Sequence, residues 1–361
     1  MSGPDLEPRE RLRGRLRALG FDVVRFAAVG EPRGDGLRAW LAAGHHADMA
    51  WLERTADKRA DPRRVLPGAR TVVALGVDYG PAGALAGPAG PWARYAMYDD
   101  YHDTIGSGLE RAVRVLAEET DTAAGDHRGY VDAGPVLERG WAAAAGVGFI
   151  GKHGNLISRE AGNWLLLAAV LSRAELPPDP PLAAAFPGFS DTEPGRPGLL
   201  CGKCTRCLAA CPTAALPAPG VVDARRCLSY HTIENRGLVP RELRPHFGTR
   251  LFGCDACLEV CPWNRFAQEG RLMQAQAHPE LATPDLLELL SLDEGSFRCR
   301  FAGTPMLRAK RRGLLRNVCV ALGNVGDSAA LPALQRAAAD PEPLIAEHAR
   351  WAIGQIEGRA A

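Results

Sequence analysis

Eight of the ten cysteines of this 361-residue chain stand in or between two short runs, and that spacing dictates what part of the chain must wrap around. The first run, Cys201-Gly-Lys-Cys204-Thr-Arg-Cys207-Leu-Ala-Ala-Cys211-Pro212, reads C-x₂-C-x₂-C-x₃-C-P. The second is Cys254-Asp-Ala-Cys257-Leu-Glu-Val-Cys261-Pro262, and Cys227 lies between them. In a two-cluster bacterial ferredoxin, closely spaced thiolates hold one [4Fe–4S] cube and the last cysteine of the run crosses to the other. Cluster one is therefore assigned Cys201, Cys204, Cys207 and Cys261, and cluster two Cys211, Cys227, Cys254 and Cys257. An uninterrupted ferredoxin would place Cys227 one C-x₂-C step before Cys254; here it stands 27 positions before, so Leu228 to Gly253 must loop out between two ligands of one cube. A single tetrahedral zinc cannot use so many thiolates, and a disulfide framework belongs to short secreted chains. Cys299 and Cys319 have no such spacing and read as ordinary buried thiols.

The remaining composition is that of a soluble globular protein with room for two or three domains, 46% hydrophobic and 24% charged. The longest apolar run, Leu165 to Leu171, is too short to span a bilayer. Asp5, Glu7 and Glu10 at the N-terminus do not suit an export or transit peptide. Free thiolates without an export signal predict a reducing cytoplasm, no membrane, and a monomer. With a net charge of only +1, any nucleic-acid contact must come from a local basic face.

Leucines 6, 12, 16 and 19 among arginines predict an amphipathic first helix that ends at Gly20. Strands are predicted at 21–29, 71–77, 128–132 and 164–171, and helices at 37–54, 102–119 and 136–145. This alternation predicts an α/β or α+β domain over residues 1–180 around one sheet. Seven prolines between Pro177 and Pro197 mark a linker, placed at 181–200, and residues 201–270 form the ferredoxin-like module. Beyond residue 283 the pattern is helical, with helices at 313–322, 329–338 and 344–356. Asn324-Val-Gly-Asp327, Leu331-Pro-Ala-Leu334 and Asp340-Pro341 resemble one HEAT-type helix–turn–helix unit, which must lean on a neighbour to bury its apolar face.

Three other segments carry possible chemistry. Gly146-Val-Gly148-Phe-Ile-Gly151 matches G-x-G-x-x-G, but it follows a helix rather than a strand, so a helix C-cap is preferred to a dinucleotide site. Tyr130-Val-Asp132-Ala-Gly134-Pro135 puts an acid at the end of a strand before a helix. Read alone, Asp132 is more often a helix N-cap than a catalyst. Arg308, Lys310, Arg311, Arg312 and Arg316 form a basic run, and Arg236, Arg241, Arg244, His246 and Arg250 lie in the insertion after Cys227. Such runs are commonly solvated faces, and beside a redox module they also suit a phosphate backbone.

Taken together, these features resemble the epoxyqueuosine reductase family over nearly the whole chain. The resemblance rests on Lys58-Arg59-Ala-Asp61-Pro62, Tyr101-His102-Asp103, Val131-Asp132-Ala-Gly134-Pro135, Gly146 to Lys152, both cysteine runs, Leu251 to Asp255, and Gly303-Thr304-Pro305 with Leu315-Arg316-Asn317. It implies a cobalamin-dependent oxidoreductase that reduces epoxyqueuosine to queuosine at the wobble position of a transfer RNA with a GUN anticodon. Electrons would pass from a low-potential donor of ferredoxin or flavodoxin type through two [4Fe–4S] clusters to cob(II)alamin. By the same resemblance Asp132 matches the proton donor, while Arg59, Leu156, Leu167 and Ser229, with Asp132, line the corrinoid site. Arg236, Arg308, Lys310, Arg311, Arg312 and Arg316 would bind tRNA. A corrinoid-contacting cysteine of relatives falls near Ala93 here. Asp100-Tyr-His102-Asp-Thr-Ile-Gly106 misses the D-x-H-x-x-G cobalamin signature by one residue, consistent with a family that binds cobalamin without a histidine below the cobalt. The alternatives are a reductive-dehalogenase-like corrinoid enzyme acting on a small molecule, and a ferredoxin-type electron carrier.

Overall fold

A computed structural model describes residues 7–80, 90–182 and 197–360. Helix α1 (Pro8–Ala18) ends before Gly20, whose φ of +108° only glycine adopts without strain. Leu12 and Leu16, one turn apart, are buried. Strand β1 (Val23–Ala28) follows, then helices α2 (Asp35–Ala42), α3 (Ala50–Arg54) and α4 (Ala56–Ala60). The single helix expected over 37–54 is broken, because Gly44 and Ala47 take left-handed conformations. The turn so made is spent on docking: Trp40 Nε1 donates to the Val222 carbonyl at 2.6 Å, and Ala224 N donates to the His45 carbonyl at 2.9 Å.

Strand β2 (Thr71–Asp78) is buried along its whole length. Helix α5 (Tyr101–Thr120) starts where the Asp100 side chain accepts from His102 N, and stops at left-handed Asp121. Strand β3 (His127–Val131), helix α6 (Glu138–Ala144), the short hairpin β4 (Gly148–Ile150) and β5 (Leu156–Ser158), and strand β6 (Leu165–Ser172) complete the first part. The main sheet has the order β1-β2-β6-β3 and every pairing is antiparallel, so the arrangement is α+β. Strand β6 reads as an unbroken apolar run because it is central and buried from residue 168 to 172. Gly146, at φ +76°, closes α6 as the C-cap glycine, and a Cβ there would lie 2.3 Å from the Pro180 carbonyl oxygen.

Of the proline-rich linker, residues 183–196 lie outside the described residues, but its approach is anchored. Asp179 is buried, paired with Arg13 at 2.8 Å and accepting from Phe26 N at 2.8 Å. The cysteine-bearing segment holds only short helices: α7 (Arg206–Ala210), α8 (Leu228–Ile233), α9 (Ala256–Glu259) and, just beyond it, α10 (Arg271–Gln274). Helices α11 (Leu286–Leu290), α12 (Glu294–Arg300), α13 (Lys310–Val325), α14 (Leu331–Ala337) and α15 (Pro343–Ala360) follow. Gly323 of α13 sits flush against Trp351 and Ala352 of α15, where a Cβ would approach to 2.5 Å. One apolar core runs from Leu12 through Phe252 to Ile356, joining the sheet, the cysteine segment and the C-terminal helices. Among the described residues no helix is long and apolar enough to cross a membrane.

Candidate active site

The structure brings the first four assigned cysteines to one cavity. Cys201, Cys204, Cys207 and Cys261 line one cavity of about 190 Å³, together with His153, Ile157 and Trp263. Burial raises the Cys207 and Cys261 thiols, and the cysteines acting on them come from the same four: Cys201 and Cys261 on the first, Cys201 and Cys204 on the second. In the other set, burial pushes Cys227 up to about 11, with Cys254 and Cys211 adding to it. Cys257 is raised by burial and then by Cys227, Cys254 and Cys211. Apolar cradles that disfavour bare thiolates in this way suit iron, whose charge deprotonates its ligands outright. Among the described residues no three His, Cys, Asp or Glu side chains close on a single ion's position; thiols at the corners of a cube need to stand further apart. Of the two remaining cysteines, Cys319 is buried as expected, but Cys299 is exposed on the surface of α12.

The insertion between Cys227 and Cys254 is pinned at both ends by α13. Asn317 Nδ2 donates to the carbonyls of Thr232 (2.9 Å) and Leu251 (2.7 Å), and Gly253 N donates to Thr232 Oγ1 at 2.9 Å. Arg316 donates to the carbonyls of Asn235 and Gly237, both at 2.8 Å, and to that of His231. This corrects the reading of Arg316 as a tRNA contact: its side chain is fully buried and its donors are spent on backbone inside the protein. Arg311 is also committed, to Asp340 at 2.9 Å and to the Leu292 carbonyl at 2.7 Å. Arg308 and Lys310 are exposed, and Arg236 and Arg312 are half-buried. Lys310 holds φ +60° with ψ 161°, a strained conformation for a residue with a side chain, at the start of α13.

Asp132 does not cap α6. That helix begins after Leu137 with no side-chain cap, five residues beyond Asp132. The acid instead sits at the end of β3 with φ +53° and a side chain 69% exposed. A tight turn, with Ala133 N donating to Val131 O at 2.5 Å, projects it outward. Gly134 is needed next because a Cβ there would lie 2.2 Å from the Tyr130 ring. Tyr101 Oη donates to Asp132 Oδ2 at 2.6 Å, and burial, with Asp132's charge, holds the Tyr101 hydroxyl protonated. His102 stacks on Tyr101 at 4.2 Å and brings Nε2 within 3.7 Å of Asp132. A hydrogen bond that His102 Nδ1 donates to the Asp100 carboxylate at 2.8 Å raises the His102 pKa, favouring its cation. Arg308, ion-paired with Glu234 at 2.5 Å, also acts electrostatically on Asp132 and Tyr101. No role for Tyr101 was legible from spacing, since it lies a helix away from Asp132 in sequence.

Arg59 donates Nη1 to the Val136 carbonyl at 3.3 Å, so it stands beside the loop that carries Asp132. Val136 shares an apolar cluster with Leu156, Leu167 and Tyr130. Leu165, Leu166 and Leu167 are only half-buried although β6 is central, which leaves apolar surface at this end of the sheet. Glu138, close by, has a buried carboxylate oxygen without a partner, and burial pushes its acid up to about 7. Ser229 stands apart, on α8, where its N–H faces Cys227.

Residues 59–133 match the family described as epoxyqueuosine reductase QueG, DUF1730, and residues 200–264 match the 4Fe-4S double cluster binding domain. Epoxyqueuosine reductase of Xanthomonas campestris pv. campestris is 37% identical over 357 residues, covering 96% of this chain and 95% of its own. That of Escherichia coli is 38% identical over 355 residues, covering 95% and 88%. Among solved structures, an epoxyqueuosine reductase crystallised with a tRNA-Tyr epoxyqueuosine-modified stem loop superposes with a TM-score of 0.82 at 30% identity, covering 96% of this chain and 90% of that one. A Bacillus subtilis epoxyqueuosine reductase whose aspartate catalytic loop is swung out of the active site gives 0.81 at 30% identity with the same coverage. With this similarity running over nearly its whole length, the chain belongs to the epoxyqueuosine reductase family.

Proposed function

We propose that this protein reduces the epoxide of epoxyqueuosine to the alkene of queuosine at the wobble position of tRNA with a GUN anticodon. The reaction takes two electrons and two protons and releases water. The observation that carries the reading is the setting of Asp132: an outward acid that accepts a hydrogen bond from Tyr101 and interacts electrostatically with Arg308, beside a core that reaches Cys257 of the cysteine segment. Each cluster passes one electron at a time, received from a low-potential donor of ferredoxin or flavodoxin type. Arg59, Leu156, Leu167 and Asp132 would hold cobalamin against the half-covered apolar end of the sheet, with Ser229 on the cluster-two side. Cobalamin, when bound there, supplies the two-electron chemistry that single-electron clusters lack. The chain's own part is the proton: Asp132 donates to the departing oxygen, and Tyr101 fixes the orientation of the carboxyl group. The helices α13 to α15 serve as a HEAT-like support beside the tRNA, and the enzyme works as a cytoplasmic monomer.

Purified, reconstituted protein given epoxyqueuosine-containing tRNA and a chemical reductant should convert the nucleoside to queuosine, read by mass spectrometry of digested tRNA. Unchanged epoxyqueuosine with intact clusters and added cobalamin would sink the proposal.

The tRNA face proposed here takes the basic residues that burial leaves accessible. Arg308, Lys310 and Arg312 remain to meet phosphates, while Arg316 and Arg311 serve the fold and Arg236 donates Nη1 to the Arg308 carbonyl at 2.9 Å. If about three of them do so, log affinity should fall against log salt with a slope of roughly −2 to −3. Replacing Lys310 and Arg312 together by Ala should flatten that slope by about 1–2 while sparing turnover of the free nucleoside. An unchanged slope in a binding titration would mark these residues as a solvated surface.

A further inference from the structure

His153 has no part in the chemistry above, yet it is among the most thoroughly buried polar residues of the chain, 2% exposed. It sits at the tip of the β4–β5 hairpin, in a loop closed by Gly151 N donating to Asn155 O at 2.8 Å and Gly154 N to Gly151 O at 3.0 Å. Asn155 N donates to His153 Nδ1 at 3.1 Å. A backbone amide can only donate, so Nδ1 carries the lone pair and the ring proton is on Nε2. That Nε2 is buried and has no hydrogen-bond partner. A buried N–H left without an acceptor is costly, and the chain would not keep one unless something accepts it.

The acceptor is identified by what the ring faces. His153 lines the cavity formed by Cys201, Cys204, Cys207 and Cys261. The other side chains on that wall are apolar or, like Arg206 and Arg265, can only donate, so sulfur is the acceptor on offer. The loop is also tied to the ligand run itself: Lys152 Nζ donates to the carbonyls of Gly202 (2.7 Å) and Cys204 (3.0 Å). Ring and ligand loop are thus held as one unit.

We propose that His153 donates an Nε2–H···S hydrogen bond to cluster one, and so sets the potential at which that cluster accepts an electron. The inference rests on the assignment of cluster one to these four cysteines. Reduction by one electron from the low-potential donor makes the thiolate-ligated cluster one unit more negative, and a fixed N–H donor stabilises the more negative form. His153 is therefore a positioning residue for electron flow, without contact with the tRNA. Loss of the donor should lower the reduced-to-oxidised ratio at a given potential about tenfold, equivalent to ~59 mV for a one-electron couple.

The test is a mediated redox titration of the reconstituted full chain followed by electron paramagnetic resonance. In His153→Phe the midpoint of cluster one should fall by that amount while cluster two stays put. In His153→Gln, whose amide N–H can reach toward the same sulfur, most of the shift should be restored. A second measurement needs no variant: wild-type protein labelled with ¹⁵N-histidine should show a histidine nitrogen coupled to a reduced cluster in pulsed spectra. Fully loaded His153→Phe with an unmoved midpoint, or wild type with no histidine coupling, overturns the proposal. Iron and sulfide content of the wild type tests the cluster assignment separately, and a chain that assembles only one cube would remove that assignment and this inference together.

Discussion

Asp132→Asn is expected to keep both clusters and the fold and to lose turnover by about 10²–10⁴-fold, the usual worth of a general acid. The substitution isolates the proton because so little else changes. Asparagine tolerates the left-handed backbone that Asp132 adopts about as well as aspartate does. Its amide oxygen can still accept from Tyr101 Oη, so the side chain keeps its orientation. Since Asp132 caps no helix, the stability loss that a missing cap would bring is not expected. What the amide lacks is an acidic proton for the departing oxygen. Single-turnover assays on epoxyqueuosine tRNA, with iron content and thermal unfolding measured in parallel, separate the two effects. Near-normal turnover in a stable, fully loaded variant would remove Asp132 from the chemistry.

How far this site could be read from the sequence depended on whether the signal was local. The cysteine runs were legible because a cube fixes ligand spacing along the chain, and one cavity is lined by Cys201, Cys204, Cys207 and Cys261 together. Helix α5 was legible from its apolar period. The break after α2 was not, because it answers to contacts with residues 222 and 224, far along the chain. The β4–β5 hairpin escaped because strands of three residues carry no alternation to detect. The basic run misled for a related reason. Residues 313–323 of α13 are buried all round, so a charge placed among Leu314, Leu315, Val318 and Cys319 had to find its partners inside the protein. Helical periodicity cannot separate Arg316 from Arg312 when the helix has no solvent face at that depth.

The same buried arginine explains why a ligand can sit 27 positions from its partner and still be built in place. Arg316 and Asn317 hold the carbonyls of residues 231, 232, 235, 237 and 251, which fixes both ends of the insertion before any iron is bound. Cys227 thereby stands at the N-cap position of α8, where the backbone N–H groups of Tyr230 and Ser229 favour its thiolate against the burial that opposes it. Cys227→Ala is expected to lose cluster two alone, about four of roughly eight irons, and with it nearly all turnover on tRNA. The insertion should remain folded, because its anchors are on α13 and not on the cube. Cys299→Ala, at an exposed thiol outside both sets, should keep its full iron and its activity. Iron and sulfide analysis after anaerobic reconstitution distinguishes the outcomes. Full iron in Cys227→Ala would mean that another group ligates cluster two, and loss of both cubes would mean that the two cradles do not assemble independently.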